Sequence, residues 1–476
     1  MFSARKVPTW AVLAVCCAAQ FMVVLDVSIV NVALPKMRAD LDLSAAGQQW
    51  VINAYTLTFA GFLLLGGRAA DLFGRRRVFM IGLAVFTVFS LIGGLAQNGG
   101  ELIAARAVQG IGGAILAPAT LSLITTTFPE PSSRRKALGA WSATAASGAA
   151  AGVLFGGILT DILDWRWVLF VNVPIGAVLL AAAAVSLVES RAESRSQLDV
   201  AGAVTVTAGL ALLVYGIVST DTHAWTSGTT ILTLLGAAVL LTAFVVIESR
   251  VAARPLVPLG VFRKRSISAA NGIAVMIGAA LFGLYFFLSL YLQQVNHYGP
   301  LKAGLAFLPA ALSTMSAALV GTRLVVRLGV RRQLIAGPLV SAIGLAWLSQ
   351  VSAGDGYFTH VFGPLVLAGI GLGLSFVPMT IAATADVPVH QAGLASGLIN
   401  TTRQIGGAVG LAVMATVAAS ASSPTSGYDA AFTMSAVALL IATGLAFVLP
   451  GQPKPERHIT SGEEIAEPVV VLEASG

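Results

Sequence analysis

The stretch GGRAADLFGRRR, residues 66 to 77, places an acid and several arginines between two long apolar runs. The run before it covers residues 49 to 66, and the run after it covers residues 78 to 96. Each is close to the roughly 20 apolar residues that a helix needs to cross a membrane. A short polar connector between two such runs is typical of a tight loop at a membrane surface. The stretch therefore predicts a pair of membrane-spanning helices.

The same pattern continues along the chain, which has 476 residues, of which 57% are hydrophobic and only 10% are charged. Its mean hydropathy of +0.86 lies far outside the range of soluble domains. We predict an all-α polytopic membrane protein with about fourteen membrane-spanning helices. The approximate spans are 10–34, 49–66, 78–96, 102–124, 137–159, 167–188, 199–218, 229–249, 267–291, 303–322, 334–351, 360–383, 392–418 and 430–449.

The basic residues predict the orientation in the membrane. Nearly all lysines and arginines outside the spans fall on one side of this map, and the exceptions are Lys36, Arg38, Arg166 and Lys302. The basic side faces the cytoplasm by the positive-inside rule, so we expect a multi-pass protein of the cytoplasmic membrane with both termini inside. This asymmetry accounts for the net charge of +7. A nucleic-acid partner is not expected, because the predicted spans leave no room for a basic soluble domain.

A weak internal repeat divides the chain. GGRAADLFGRRR aligns with GTRLVVRLGVRR (321–332), and QGIGGAILAP (109–118) aligns with AGIGLGLSFVP (368–378). The repeat predicts an N-terminal six-helix bundle (1–188), two inserted membrane helices with cytoplasmic linkers (189–266), a C-terminal six-helix bundle (267–449) and a disordered cytoplasmic tail (450–476). Transporters built from repeats place their substrate site near the bilayer midplane, between the halves.

Asp26 is the acid within the apolar run FMVVLDVSIVNVALP, residues 21 to 35. A carboxylate at that depth costs several kcal/mol unless it faces a cavity, has a partner or holds a proton. One interpretation is a proton site that is exposed alternately to the two sides. The other is a structural carboxylate that is paired permanently with Arg106 or Asn31. Arg106 keeps its charge, so it could tune a nearby carboxylate, or its side chain could reach the membrane surface.

Arg403 lies in the middle of the predicted span that contains INTTRQIGGAVG (399–410). It could bind an anionic group of a substrate or satisfy helix carbonyl groups, and the sequence does not separate these alternatives. The candidate substrate cavity combines it with other polar and aromatic residues of the spans: Asn31, Trp50, Tyr55 and Tyr285. For the aromatic residues, simple helix packing is the competing interpretation.

Two glycine-containing segments are candidates for conformational gating. In the 66–77 loop, the glycines permit close contact, and the acid can pair with a neighbouring arginine in one conformation only. The residues concerned are Gly67, Arg68, Asp71, Gly74 and Arg75. In the fifth span, Gly148, Gly152 and Gly156 recur every fourth residue and are followed by Gly157. Such a stripe permits either sliding or static close packing of helices.

Chemical catalysis has no support in the sequence. We find no nucleophile–base pair, no cluster of metal ligands and no phosphate-binding loop, so we expect neither an enzyme, a metal site nor a cofactor. Energy for transport would then come from a proton gradient.

Together these segments resemble the major facilitator superfamily, and within it the family of fourteen-span drug:proton antiporters. The resemblance rests on LDVSIVNVALP (25–35), GGRAADLFGRRR (66–77), RAVQGIGGAILAP (106–118) and DWRWVLFVNVPIG (164–176). It implies two six-helix bundles with two extra central helices. It also implies proton coupling at Asp26 and Arg106 and a gating role for the 66–77 loop. In the fifth span the family pattern has a proline where this chain has Val153, which leaves the gating role of that helix open.

The resulting hypothesis is a bacterial multidrug exporter that exchanges lipophilic drugs or antibiotics for protons and so confers resistance. Its expected partners are the small-molecule substrate, protons and the lipid bilayer, and we expect a monomer. Two alternatives stay open: a proton-coupled importer or symporter of the same fold, and a membrane scaffold or sensor that transports nothing.

Overall fold

The computed structural model describes residues 8–190, 198–221, 223–252, 255–352, 354–385 and 392–450. Within these ranges the regular secondary structure is entirely helical, as the sequence predicts. The α-helices are α1 (Thr9–Asp40), α2 (Ala45–Phe73), α3 (Arg75–Gly94), α4 (Gly99–Thr127), α5 (Pro131–Ile162), α6 (Trp167–Phe170), α7 (Asn172–Ser186), α8 (Val200–Val218), α9 (Gly228–Val246), α10 (Arg265–Leu290), α11 (Pro300–Leu328), α12 (Val330–Leu348), α13 (Phe362–Thr384), α14 (Ala392–Ala419) and α15 (Pro424–Ala446).

Eleven helical segments of the described chain are long and apolar enough to cross a membrane. One of them, Trp167–Ser186, combines α6 and α7, and another extends α9 through the π-helical turn Ile247–Val251. The chain is therefore a multi-pass membrane protein. The number fourteen stays a prediction, because α5, α12 and α14 are outside this set of eleven.

Helix ends follow local chemistry. The Ser44 side chain accepts a hydrogen bond from the Gly47 N–H at the start of α2, and Asn98 does the same for Glu101 at the start of α4. Single glycines with positive φ separate α2 from α3 and α11 from α12: Gly74 (φ +104°) and Gly329 (φ +81°). These are the two glycines that the internal repeat aligns.

The helices pack in two groups. In the first, α1 packs on α5, α4 packs on both α2 and α3, and α3 also contacts α7. In the second, α13 packs on α11 and α12, while α10 packs on α14 and α15. Helix α8 packs on α9 and also contacts α2 and α14, one helix from each group. The residue bounds of the predicted bundles stay predictions, and the tail from residue 451 lies outside the described residues.

Side-chain hydrogen bonds link the two groups at the end of the bundle where α1 ends and α2 begins, called here the α1–α2 end. Helix α2 also packs on α14 across the two groups. There the Ser289 hydroxyl donates to the Asn31 carbonyl at 2.8 Å, and Gln293 Nε2 donates to the Val32 carbonyl at 3.0 Å. The end of α5 also touches the start of α11, backbone to backbone. A Cβ atom added at Gly157 would lie 2.7 Å from the Pro300 carbonyl oxygen. The halves are thus held together at the α1–α2 end.

Candidate functional site

A fully buried carboxylate occupies the crossing of α1, α4 and α7. Asp26 is 0% exposed and receives three donors. Its Oδ2 accepts from Arg106 Nη1 at 2.6 Å, and its Oδ1 accepts from Gln109 Nε2 at 2.9 Å and Asn172 Nδ2 at 2.8 Å. An ionised carboxylate only accepts hydrogen bonds, so three donors on two oxygens describe Asp26 in its charged form.

Arg106 is held on every side. It is 2% exposed, and Nη1 also donates to Gln109 Oε1 at 2.7 Å, one turn further along α4. The guanidinium carbon lies 4.3 Å from the centroid of the Tyr55 ring, a cation–π contact. Arg106 Nε points at the Val51 carbonyl at a long 3.4 Å. Because the arginine pairs inside the protein, its side chain does not extend to the membrane surface, which was the competing interpretation.

Asn172 connects the carboxylate to a second helix. It is the first residue of α7, directly after the break at Val171 that separates α6 from α7. Its Nδ2 also donates to Ser90 Oγ at 3.0 Å, and Ser90 Oγ in turn donates to the Leu169 carbonyl at 2.8 Å. The helix break and α3 therefore position the amide that faces Asp26.

The network can accommodate either protonation state. When Asp26 is ionised, Asp26 and Arg106 together carry no net charge. Two charges can be buried in a low-dielectric interior when they compensate each other in this way. The Asn172 Oδ1 atom is buried without a hydrogen-bond partner in the described structure. After an amide flip it could accept a hydrogen bond from a protonated Asp26. The arrangement thus holds hydrogen-bond partners for both the ionised and the protonated carboxyl group.

Asn31 does not take part in this network. Its Nδ2 donates to the Val27 carbonyl one turn earlier in α1, at 2.9 Å. The partner of Asp26 is thus Arg106, and pairing with Asn31 was the wrong alternative. The backbone of Asn31 instead accepts the Ser289 hydroxyl where the halves meet.

The aromatic candidates for a substrate cavity separate into three places. Tyr55 is 1% exposed and belongs to the Asp26 network through Arg106. Trp50 lies 6.5 Å, centroid to centroid, from Tyr215 of α8, so it packs against the inserted helices. Tyr285 stacks on Phe307 between α10 and α11, with ring centroids 5.5 Å apart. The fold therefore does not bring these three residues into one wall.

Arg403 lies on α14 in a different setting. Its Nη2 donates to Asn400 Oδ1 at 3.1 Å, and its guanidinium carbon is 5.9 Å from the Phe376 ring of α13. The side chain is partly exposed. Among the described residues, the ion pairs include none between Arg403 and a carboxylate.

The 66–77 loop forms a charged cluster at the opposite end of the bundle. Arg75 Nη2 pairs with Asp71 Oδ1 at 2.9 Å, and Arg75 Nε donates to Ser122 Oγ of α4 at 2.6 Å. The Glu189 carboxylate accepts the backbone N–H groups of Arg76 and Arg77, both at 3.2 Å, at the start of α3. Glu189 lies so close to Gly74 that an added Cβ would be 2.4 Å from its Oε1.

The other two candidates of this loop lie on α2, and Gly67 faces α4. Arg68 is partly buried on α2, and a Cβ added at Gly67 would lie 3.5 Å from Pro118 of α4. The loop is thus anchored to α4 and to the chain after α7.

The glycine stripe of α5 has two different partners. Gly148, Gly152 and Gly156 face α1, where a Cβ at Gly152 would lie 2.7 Å from the Leu25 carbonyl oxygen. Gly157 faces α11 of the other half. Three of the four glycines therefore bring α5 close to the helix that carries Asp26, and the fourth brings the halves together. With Val153 in place of proline, α5 runs unbroken over 32 residues.

Sequence reasoning missed Gln109, Asn172 and Ser90. The available signal was the presence of amide and hydroxyl side chains within apolar spans, where polar groups need partners. Gln109 also stands three residues after Arg106, so both face the same side of a helix.

The chain resembles known membrane carriers along most of its length. A model of the Major Facilitator Superfamily matches residues 16–411. The cephamycin export protein of Amycolatopsis lactamdurans is 45% identical over 449 residues, covering 92% of both chains. The puromycin resistance protein of Streptomyces alboniger is 39% identical over 459 residues, covering 92% of this chain and 91% of that protein. A solved structure of a bacterial homologue of the human lysosomal transporter Spinster superposes with a TM-score of 0.65 at 16% identity, covering 94% of this chain and 98% of that one.

Proposed function

The chain belongs to the major facilitator superfamily, and we propose that it exports lipophilic antibiotic-like molecules across the cytoplasmic membrane in exchange for protons. Two relatives that align over almost the full chain are named for cephamycin export and puromycin resistance, which supports a small-molecule exporter. The exchange of protons and the fourteen-span antiporter type are the finer parts of the proposal.

The observation that carries proton exchange is the buried Asp26–Arg106 pair. Asp26 is a titratable group inside the membrane, and Arg106 is its one charged partner at hydrogen-bond distance among the described residues. A proton on Asp26 would cancel its attraction to Arg106 and leave the arginine uncompensated. The free-energy difference between ionised and protonated Asp26 would therefore depend on how the helices around the pair are arranged. Such a dependence is required for proton binding to be coupled to the movement of the halves.

The proposed transport cycle starts from this structure, in which the halves are in contact at the α1–α2 end. If the α1–α2 end faces outward, as the positive-inside rule predicts, the halves are closed outside while Asp26 is ionised. This is the state that has released its proton inward and can receive cargo from the cytoplasmic side. After the halves rock open outward, a proton from outside neutralises Asp26, weakens cargo binding and favours return.

Cargo contacts are proposed for the second half. Tyr285 and Phe376 are half-buried and offer aromatic surface, and Arg403 offers a cation that has no carboxylate partner in the described structure. A lipophilic molecule with an anionic or hydrogen-bond-accepting group fits that combination. Trp50 is omitted from this proposed surface, because it packs on α8.

Gating is proposed for the 66–77 loop and for the α5–α11 contact. The Asp71–Arg75 pair and the Glu189 cap tie α2, α3 and the chain after α7 into one rigid unit. Gly157 lets α5 touch α11 only when the halves are closed at the α1–α2 end. No cofactor is proposed, and the cycle works within one chain.

The direction of transport is tested in inverted membrane vesicles from cells that produce the protein, with puromycin and a cephamycin as probes. Export predicts uptake into the vesicles when their lumen is acidified, and loss of uptake when the pH difference is collapsed. Glu130→Gln, an exposed acid outside the site, serves as the control and should leave uptake unchanged. Uptake that requires an alkaline lumen would instead indicate a symporter. No uptake of any probe under either gradient would count against the exporter.

A further inference from the structure

We propose that Asp199 and Glu248 share one proton, forming a second proton-binding site outside the Asp26 network. Asp199 stands directly before α8, and Glu248 lies in the π-helical turn Ile247–Val251 at the end of α9. Both side chains are buried, with 9% and 4% exposure. The site joins the two inserted helices to the segment that leads to α10.

One oxygen of each carboxyl group is engaged by the backbone. Asp199 Oδ1 accepts the Gly202 N–H at 2.8 Å, which caps α8. Glu248 Oε2 accepts the Val257 N–H at 2.9 Å, which fixes the segment after α9. The pair therefore holds three pieces of chain at one point.

The other two oxygens face each other. The Asp199 and Glu248 side chains are within hydrogen-bond contact. Asp199 Oδ2 and Glu248 Oε1 are both buried and lack any other partner in the described structure. Two ionised carboxylates offer only acceptors, so a hydrogen bond between them requires a proton on one. A single shared proton satisfies both unpartnered oxygens at once.

Among the described residues, the ion pairs include none to Asp199 or Glu248. Residues that bond to the pair through their backbone N–H groups, Ala203 and Val257, belong to an apolar cluster. The cluster also contains Leu64 of α2, Phe244 of α9 and Leu398. The charged side chains on the neighbouring described segments, Arg250, Arg263 and Lys264, are exposed at the surface. Two like charges in contact within an apolar cluster are strongly disfavoured, so loss of the proton must loosen the junction.

The consequence is a protonation-sensitive link between the halves. Helix α8 contacts α2 in one half and α14 in the other. When the junction is protonated, α8 and α9 are tied to the segment before α10. When it is deprotonated, the Asp199–Glu248 contact is lost and this tie is released.

Infrared spectroscopy of the purified full-length chain tests this proposal, because a protonated carboxyl group has its own C=O stretching band. All samples carry Asp26→Asn, so that the result is independent of the proposed transport cycle. We expect a band that disappears on raising the pH and is absent in Glu248→Gln. In Asp199→Asn the band should vanish at lower pH, by at least about one unit, because the neighbouring negative charge is gone.

Controls separate the shared proton from other causes. Glu130→Gln changes an exposed acid and should leave the band and its midpoint unchanged. If Asp199→Asn does not fold, Asp199→Ser keeps an oxygen that can cap α8 and removes the carboxyl group. A band that persists in Glu248→Gln would overturn the proposal. So would an unchanged midpoint in both Asp199 variants, since burial of Glu248 alone would then hold the proton.

Discussion

Two intramembrane arginines, one in each half, have opposite settings. Arg106 is 2% exposed and is locked between Asp26, Gln109 and the Tyr55 ring. Arg403 is partly exposed and contacts Asn400 and, more distantly, Phe376. The first arginine balances the charge of a buried carboxylate, while the second has no carboxylate partner among the described residues. In the proposed function, this difference assigns proton binding to the first half and cargo binding to the second.

The internal repeat sharpens this difference. It aligns Arg106 with Leu365, which is 0% exposed in an apolar cluster with residues of α10 and α12. The two halves thus share a loop glycine of the same conformation at Gly74 and Gly329, but not the chemistry of their centres. The fold is duplicated, and the buried charge network occupies one copy.

The largest effect is expected from removing Arg106. Arg106→Gln would leave the Asp26 carboxylate buried without a charged partner, which costs about 3 to 5 kcal/mol. Arg403→Gln is the matched variant and should cost less than about 1 kcal/mol, because its partner is a neutral amide. Chemical unfolding in detergent measures both. Equal losses of unfolding free energy in the two variants would contradict the difference drawn between the two arginines.

A smaller loss is expected at Asn172. Asn172→Ala removes one of three donors to Asp26 and the bond to Ser90, and we expect about 1 to 3 kcal/mol of destabilisation. Transport should fall as well, because Asn172 holds the carboxyl group of Asp26 at 2.8 Å. Asn31→Ala is the stability control, since its amide bonds within α1. Lower stability with an unchanged transport rate would assign Asn172 a purely structural role.

The contact between the halves can be tested at Gly157. Gly157→Ala places a Cβ 2.7 Å from the Pro300 carbonyl oxygen, and such overpacking costs about 1 to 3 kcal/mol. Gly139→Ala on the same helix meets nothing within 4 Å and is the control. Distances between spin labels at the α1–α2 ends of α5 and α11 should lengthen in the first variant alone. Unchanged distances in both would show that this contact does not limit closure.

The smallest effect is expected in substrate choice. Arg403→Gln should raise the KM for an anionic fluorescent substrate about tenfold, which corresponds to one charge-assisted hydrogen bond. The KM for a cationic substrate should stay the same or fall. An equal rise for both substrates would indicate that Arg403 supports the helix and does not bind cargo.

Much of the fold is readable from the sequence, because the bilayer requires long apolar helices and the basic loops mark their ends. Asp26 and Arg106 were also identifiable, since charges within apolar runs are conspicuous. The pairing of Asp26 with Arg106 was one of two open alternatives. It depends on the crossing of α1 and α4, which brings together two residues 80 positions apart.

Other parts depended on the three-dimensional arrangement. The sequence shows that Gly148, Gly152, Gly156 and Gly157 lie close together on one helix, but not that the first three face α1 and the last faces α11. Likewise, Trp50 could not be assigned to the α8 side without knowing where the inserted helices pack. The helix break at Val171 has a signal in the sequence, because Pro174 offers no N–H and its ring conflicts with the Phe170 carbonyl group. Only the packing of α7 on α1 shows that Asn172 faces Asp26.

Proton release from proteoliposomes on addition of puromycin or a cephamycin, comparing the native chain with Asp26→Asn, tests the central claim most directly. Asn keeps the size of Asp26 and can still accept from Arg106, so the variant should fold while being unable to exchange a proton. Glu130→Gln controls for a change of charge elsewhere. The account predicts substrate-driven proton movement in the native chain and in the control, and none in Asp26→Asn. Equal proton movement in all three would show that Asp26 only holds helices together and that coupling resides elsewhere.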